Sequence, residues 1–221
     1  MDYAEARTRM VDGQIRPNRV TEPRLLEALR LTPREAFVPA AAASRAYTDE
    51  EVPLPGGRAL MQPMILAKLL QLAAIRPDER VLVVCAGTGY GAALVARLGA
   101  RVVALEPDAG LRAIATAALA AEAAGSLRLE AGDPTEGFAA AAPYDVILVE
   151  GEIPAVPEAL SAQLAEGGRL VAVLAQGRGQ GRGQGVAMLG RRLGGALTLT
   201  AAFDAAVAPL PAFQPAPGFV F

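Results

Sequence analysis

Four consecutive apolar residues, Val81 to Val84, run without interruption into the turn Cys85-Ala86-Gly87-Thr88-Gly89-Tyr90-Gly91, after which Ala92 to Gly99 return to helical spacing. A strand that is apolar on successive positions has to be covered on both faces, so it belongs inside a parallel sheet. The glycines let the backbone turn tightly at the strand's carboxyl end and come close to a ligand, and the helix that follows directs its first amides toward the same place. A tight strand-to-helix turn with no ligand is the other use of the same spacing.

The alternation continues through the middle of the chain. Strands are expected over 81–84, 101–105, 126–130, 144–150 and 168–174, and helices over 89–98, 108–122 and 155–165. Strands alternating with helices at this spacing form crossover units, hence an α/β fold with helices on both faces of a parallel sheet. Before this region, Met10, Ile15, Leu25, Leu26, Ala28 and Leu29 follow helical spacing, with a start at Thr21, Glu22 and Arg24 and a stop at Pro33, so two or three short helices precede the core. Residues 43–63 hold three prolines and two glycines and read as loop or edge structure, and 64–75 as a further helix. At the other end, Gly194-Gly195 joins "GVAMLGRRL" to "ALTLTAAF" as an antiparallel hairpin. The whole chain, 1–221, is expected to be one domain: a helical extension and loop (1–63), a core (64–175), and a basic glycine-rich loop with the hairpin (176–221).

With 52% hydrophobic and 20% charged residues the chain has enough apolar material to fold. The formal charge is 21 − 23 = −2, which gives no general attraction to nucleic acid or to anionic membranes. No apolar run approaches the roughly 20 residues of a membrane helix. The N-terminus lacks the apolar run of a signal peptide, and the single Cys85 has no partner for an internal disulfide, so a cytoplasmic protein is expected. There is no His, which removes the commonest general base and the best zinc ligand together, so no metal site is expected. "GRGQGRGQG", 177–185, reads as a flexible connection. Five Arg and no acidic residue between Gly167 and Phe203 give it a second reading, a basic loop for an acidic substrate or RNA. Phe213, Phe219 and Phe221 near the C-terminus would cover a sheet edge, with partner or membrane contact as the alternative.

Two carboxylates stand where ligands gather in such sheets, at the carboxyl ends of strands. Glu106 lies 19 residues after Gly87, at the end of "RVVALEP", where it can accept both hydroxyls of a ribose. No second phosphate-directed element, no hydride-handling site and no Lys-Ser phosphate loop accompany it, which favours an adenosyl cofactor without a pyrophosphate, namely S-adenosylmethionine. Glu150 ends the fourth strand and is a candidate to face the methyl acceptor, with Arg58 placed to neutralise it. As an anion Glu150 would repel a carboxylate acceptor and suit an amine or hydroxyl instead. A solvated Glu at a strand end is the plain alternative.

Over its full length the chain resembles the protein-L-isoaspartate O-methyltransferases. The residues that carry the resemblance are "RMVDGQI", "PREAFVP", "AYTDEEVPL", "GTGYGAALVARLG", "APYDVILVEG" and "QLAEGGRLVAVL". It implies a Rossmann-like class I methyltransferase fold, mostly parallel, with an N-terminal helical extension and a C-terminal antiparallel hairpin. It also implies methyl transfer from S-adenosylmethionine, leaving S-adenosylhomocysteine, to the carboxylate of isoaspartyl residues in protein or peptide substrates, with no metal. Gly87, Thr88, Gly89, Tyr90, Glu106 and Asp133 would hold the cofactor, Asp133 at its adenine amino group, and Arg58, Ala59, Leu60, Met61, Gln62 and Pro63 would form the substrate loop. A carboxylate is already ionised at neutral pH, so such a reaction needs alignment and desolvation rather than a base.

The departures are specific. Ala59 and Met61 replace the loop's Thr and Ser, and a thioether cannot donate the hydrogen bond a Ser hydroxyl gives. Val83 replaces an acidic residue of the glycine-loop strand, whose charged hydrogen bond to a ligand is worth about 1–3 kcal/mol, and Cys85 replaces the first glycine. Two other functions are therefore weighed: a methyltransferase with a different acceptor, including a small molecule, and a non-catalytic binding protein that keeps the fold. Ala59→Thr with Met61→Ser is expected to raise methyl transfer to an isoaspartyl peptide. A double variant that folds and binds cofactor with no gain in turnover would show that the loop is not what limits the reaction.

Overall fold

Burial of the Val81–Val84 run organises the molecule, because all four side chains have no solvent exposure. The computed structural model describes residues 2–121, 126–176 and 185–214. In chain order these residues form α1 (Tyr3–Met10), α2 (Pro23–Leu31), β1 (Val52–Pro53), β2 (Ala59–Leu60), α3 (Pro63–Ala73), β3 (Arg80–Val84), α4 (Tyr90–Arg97), β4 (Arg101–Leu105), α5 (Ala109–Ala121), β5 (Leu127–Glu130), β6 (Tyr144–Ile153), α6 (Glu158–Ala162), β7 (Leu164–Ala175), β8 (Gly185–Leu193) and β9 (Ala196–Ala205). Seven strands make one sheet in the order β5-β4-β3-β6-β7-β8-β9. The first five positions are parallel, and β8 and β9 are antiparallel to their neighbours, with Gly194 and Gly195 at positive φ turning the last hairpin. This is the expected parallel sheet finished by a hairpin.

The two faces of the central strand explain the layers. Val81 and Val83 pack into a large core shared with residues of α1 to α5, such as Met10, Leu25, Leu66, Leu94 and Leu111. Leu82 and Val84 pack into a second core closed by Leu160 of α6 and by Phe213. The N-terminal extension is thereby part of the main core rather than an appendage. Its α2 starts at Glu22, whose side chain accepts from the Arg24 amide, with Pro23 in the first turn, and it ends one residue before Thr32-Pro33. Arg169 on β7 ties this layer down. Its guanidinium donates to the carbonyls of Ala73 and Ala74 at the end of α3 and to both oxygens of Glu79.

The segment 155–165 differs from expectation, being helical only over Glu158–Ala162. The chain pairs with β6 from Leu164, opposite Tyr144, and the Tyr144 amide donates to the Gln163 carbonyl at 2.8 Å, so sheet pairing takes the residues that helical spacing would have used. Gly167 at φ 76° and Gly168, where an added Cβ would lie 2.8 Å from the Ala165 oxygen, make the irregular start of β7 possible. Residue 122, the loop over 177–184 and Phe219 and Phe221 lie outside the described residues. Phe213 is buried against the second core. Leu82→Ala is expected to lower unfolding free energy by about 2–5 kcal/mol, read by urea denaturation, because the two packed faces leave no room for the cavity to collapse.

Candidate active site

The glycine turn closes on itself before it meets anything else. Past Val84 the backbone turns at Cys85 (φ 55°), Gly87 (φ 58°) and Gly89 (φ 88°), the last acting as N-cap of α4. Cys85 thus sits in the left-handed region that favours glycine. It is buried, and burial pushes its thiol up to about 12, so it stays a neutral, inert filler.

Glu106 directly follows β4 beside this turn and has no solvent exposure. Its carboxylate accepts the Gly87 amide at 2.7 Å and the Asp108 amide at 3.0 Å. Arg58 reaches the same carboxylate, its Nη1 lying 3.1 Å and 3.2 Å from the two oxygens, while its Nη2 donates to the Cys85 carbonyl at 2.8 Å. The pairing expected for Arg58 was Glu150, and the structure gives the guanidinium to Glu106 instead. The reason is geometric: the same arginine satisfies both the carboxylate and a carbonyl of the strained turn.

Glu150 lies on β6, which flanks β3 on the side away from β4, and is nine-tenths buried. Between Leu148 and Glu152 β6 advances four residues while β7 advances two, from Val171 to Val173, and Gly151 stands at φ 146°. Such a bulge re-aims side chains, and here Glu150 projects against the first turn of α4. A Cβ on Gly91 would come 1.9 Å from Glu150 Oε1, so Gly91 makes the space this carboxyl occupies. Oε1 has no hydrogen-bond partner. Desolvation pushes the carboxyl up to about 8, with Arg58 and Arg34 opposing the rise and Glu106 adding to it. Near neutrality Glu150 is therefore mostly an uncharged acid.

The residues expected to form the substrate loop, 58–63, divide among several local structures. Arg58, Ala59 and Met61 line a narrow cavity with Glu150 and Leu210. Leu60 pairs with Val52 in the short β1–β2 ladder, the Gln62 side-chain Nε2 donates to the Asp49 carbonyl, and Pro63 opens α3. Met61 is buried, and its carbonyl accepts from Arg34 Nη2 at 2.6 Å, while Arg34 Nε donates to the Ala46 carbonyl at 2.7 Å. Arg34, fully buried, also lies 4.8 Å from the centroid of the Tyr90 ring. Arg34 thus positions this loop, a role that its place in the sequence does not reveal. Tyr90 packs edge-on to Phe37, with ring centroids 5.5 Å apart, so its ring serves the core under the turn. Thr88 is buried, and its hydroxyl has no partner. Asp133 is exposed and caps a local turn, accepting the Thr135 amide and hydroxyl, which hold its carboxyl below the usual range. Among the described residues no group of three or more His, Cys, Asp or Glu could hold a metal ion, and no helix is long and apolar enough to cross a membrane.

A family model described as protein-L-isoaspartate (D-aspartate) O-methyltransferase matches residues 5–196. The chain belongs to this family. It is 47% identical over 166 residues to a protein-L-isoaspartate O-methyltransferase of Methylorubrum populi, covering 75% of this chain and 78% of that one. To the protein of the same name from Methanoregula boonei it is 41% identical over 168 residues, covering 76% and 77%. Its fold is similar to that of a solved putative protein-L-isoaspartate O-methyltransferase from Plasmodium falciparum in complex with S-adenosyl-L-homocysteine, with TM-score 0.80 and 16% identity, over 93% of this chain and 98% of that one. A second solved protein-L-isoaspartate O-methyltransferase gives TM-score 0.78 at 24% identity, over 92% of this chain and 65% of that one. The family match contains Arg58, the glycine turn, Glu106, Asp133 and Glu150.

Because the Glu150 carboxyl titrates near 8 in the fold, against an ordinary value of 4.5, the folded protein keeps a proton that the unfolded chain releases between those values. Its stabilising contribution is complete below about pH 4.5 and is lost as pH rises to about 8. Glu150→Gln is expected to flatten that loss, measured as unfolding free energy at pH 5.5 and 8.5. A variant as pH-sensitive as the parent would assign the loss to another group.

Proposed function

We propose that the protein transfers the methyl group of S-adenosylmethionine to a carboxylate, the isoaspartyl side chain of a damaged protein or peptide being the acceptor that its family membership favours. The observation that carries the reading is the buried Glu106 carboxylate fixed by the Gly87 amide, beside a cavity holding Arg58 and Glu150. The residues fit an adenosyl ligand. Glu106 has oxygens suited to a ribose diol, the glycine turn gives backbone access at the start of α4, and Thr88 keeps an unpartnered hydroxyl on that turn. Gly87, Thr88, Gly89, the Tyr90 backbone, Glu106 and Asp133 are the proposed holders, with Asp133 turning from its local cap to do so.

When bound, the cofactor supplies an electrophilic methyl group on a sulfonium. The chain's own part is to align the acceptor and to keep water out, which it does with the apolar Ala59, Met61 and Leu210 around the cavity. Glu150, mostly uncharged near neutrality in the free protein, and Arg58 beside it leave the cavity without the net negative charge that would repel an incoming carboxylate. No histidine is needed, since the acceptor arrives ionised. A cytoplasmic repair role is part of the same proposal.

The test is calorimetric titration with S-adenosylhomocysteine, followed by tritiated methyl transfer from S-adenosylmethionine to an isoaspartyl peptide. Binding with transfer is expected. Binding without transfer would move the acceptor to another class, amines or hydroxyls first, and no binding at millimolar ligand would overturn the cofactor reading.

A further inference from the structure

Arg58 belongs to two sites at once. Its guanidinium is held by Glu106, yet its side chain also lines the cavity that Glu150 faces. Glu106 cannot serve every partner together. The Gly87 and Asp108 amides take one oxygen each, and Arg58 Nη1 spans both, so a ribose diol at this carboxylate has to compete with the guanidinium. The arginine side chain is only 9% exposed, and a buried cation deprived of its carboxylate has to find another anion or leave for water. Glu150 lines the same cavity, and its carboxyl carries an oxygen with no partner, Oε1, set against Gly91 of α4.

We propose that Arg58 is a relay between the cofactor and acceptor sites: it closes the ribose carboxylate in the free protein and passes to Glu150 when an adenosyl ligand takes Glu106. The relay rests on the cofactor reading above. It requires no covalent change, only that Glu150 give up its proton to solvent as the guanidinium arrives. The charged and titratable groups around Glu150 are few: Arg58 from the loop before α3, Arg34 from the segment after α2, Glu106 from the end of β4, and Cys85 from the end of β3. Glu51 lines the cavity and accepts the Ala208 amide, while α4 presents Gly91, which carries no side chain. Of these, Arg58 alone changes partner, so the proton lost on binding belongs to Glu150.

A site closed by its own side chain has its apparent affinity reduced by the fraction of molecules that are open. Titration calorimetry with S-adenosylhomocysteine at pH 7, in buffers of different ionisation enthalpy, reads both consequences. The parent protein is expected to release most of one proton per ligand bound. Arg58→Met is expected to release little and to bind about tenfold more tightly, as for a site closed roughly nine times in ten. Glu150→Gln, which leaves Arg58 and Glu106 intact, is expected to bind without the release. Binding by the parent with no proton release, or a release undiminished in either variant, overturns the relay and leaves the cofactor reading standing. Absence of binding in both the parent and Arg58→Met overturns the two together.

Discussion

A carboxylate removed from water has to be surrounded by donors, and the structure around the glycine turn follows from how Glu106 meets that requirement. Two of its donors are backbone amides, Gly87 on the turn and Asp108 at the approach to α5, so one side chain joins the ends of two adjacent strands. The third is Arg58, brought in from the loop ahead of α3, whose remaining nitrogen holds the Cys85 carbonyl. Core strand, glycine turn and the segment that carries Arg58 are thus fastened at one point. A mutation there acts on fold and site together, as buried ion pairs do when one partner is removed.

The departures from the family's loop look different once their surroundings are known. Met61 lacks the hydroxyl of a serine, but its backbone is gripped by Arg34, and its side chain seals the cavity beside Glu150. The bulge in β6 and the absent side chain at Gly91 give Glu150 its position, and burial gives it its proton. The cavity thus holds polar side chains, the Arg58 guanidinium and the Glu150 carboxyl among them, beside apolar neighbours.

Much of the fold was legible beforehand because it follows from local periodicity. The unbroken apolar runs of β3, β4 and β6 read as buried parallel strands, and Gly194-Gly195 read as a hairpin. The misjudged segment, 155–165, is one where short-range spacing favours helix and long-range pairing with Tyr144 decides. Glu106 was legible through its spacing from Gly87. Arg34 was not, because nothing in a charged residue's identity tells that it will be fully buried with its Nε and Nη2 donating to distant carbonyls.

What the sequence by itself determined, then, is the order of strands and helices, the glycine turn, and the presence of a carboxylate one strand further on, because these depend on residues close together in the chain. The partner of Arg58, the protonation of Glu150 and the role of Met61 were decided only by tertiary structure. Each depends on distance and on exclusion of water between segments that lie tens of residues apart, 48 in the case of Arg58 and Glu106. The sign and strength of an electrostatic contact are properties of that enclosure and not of the residues alone.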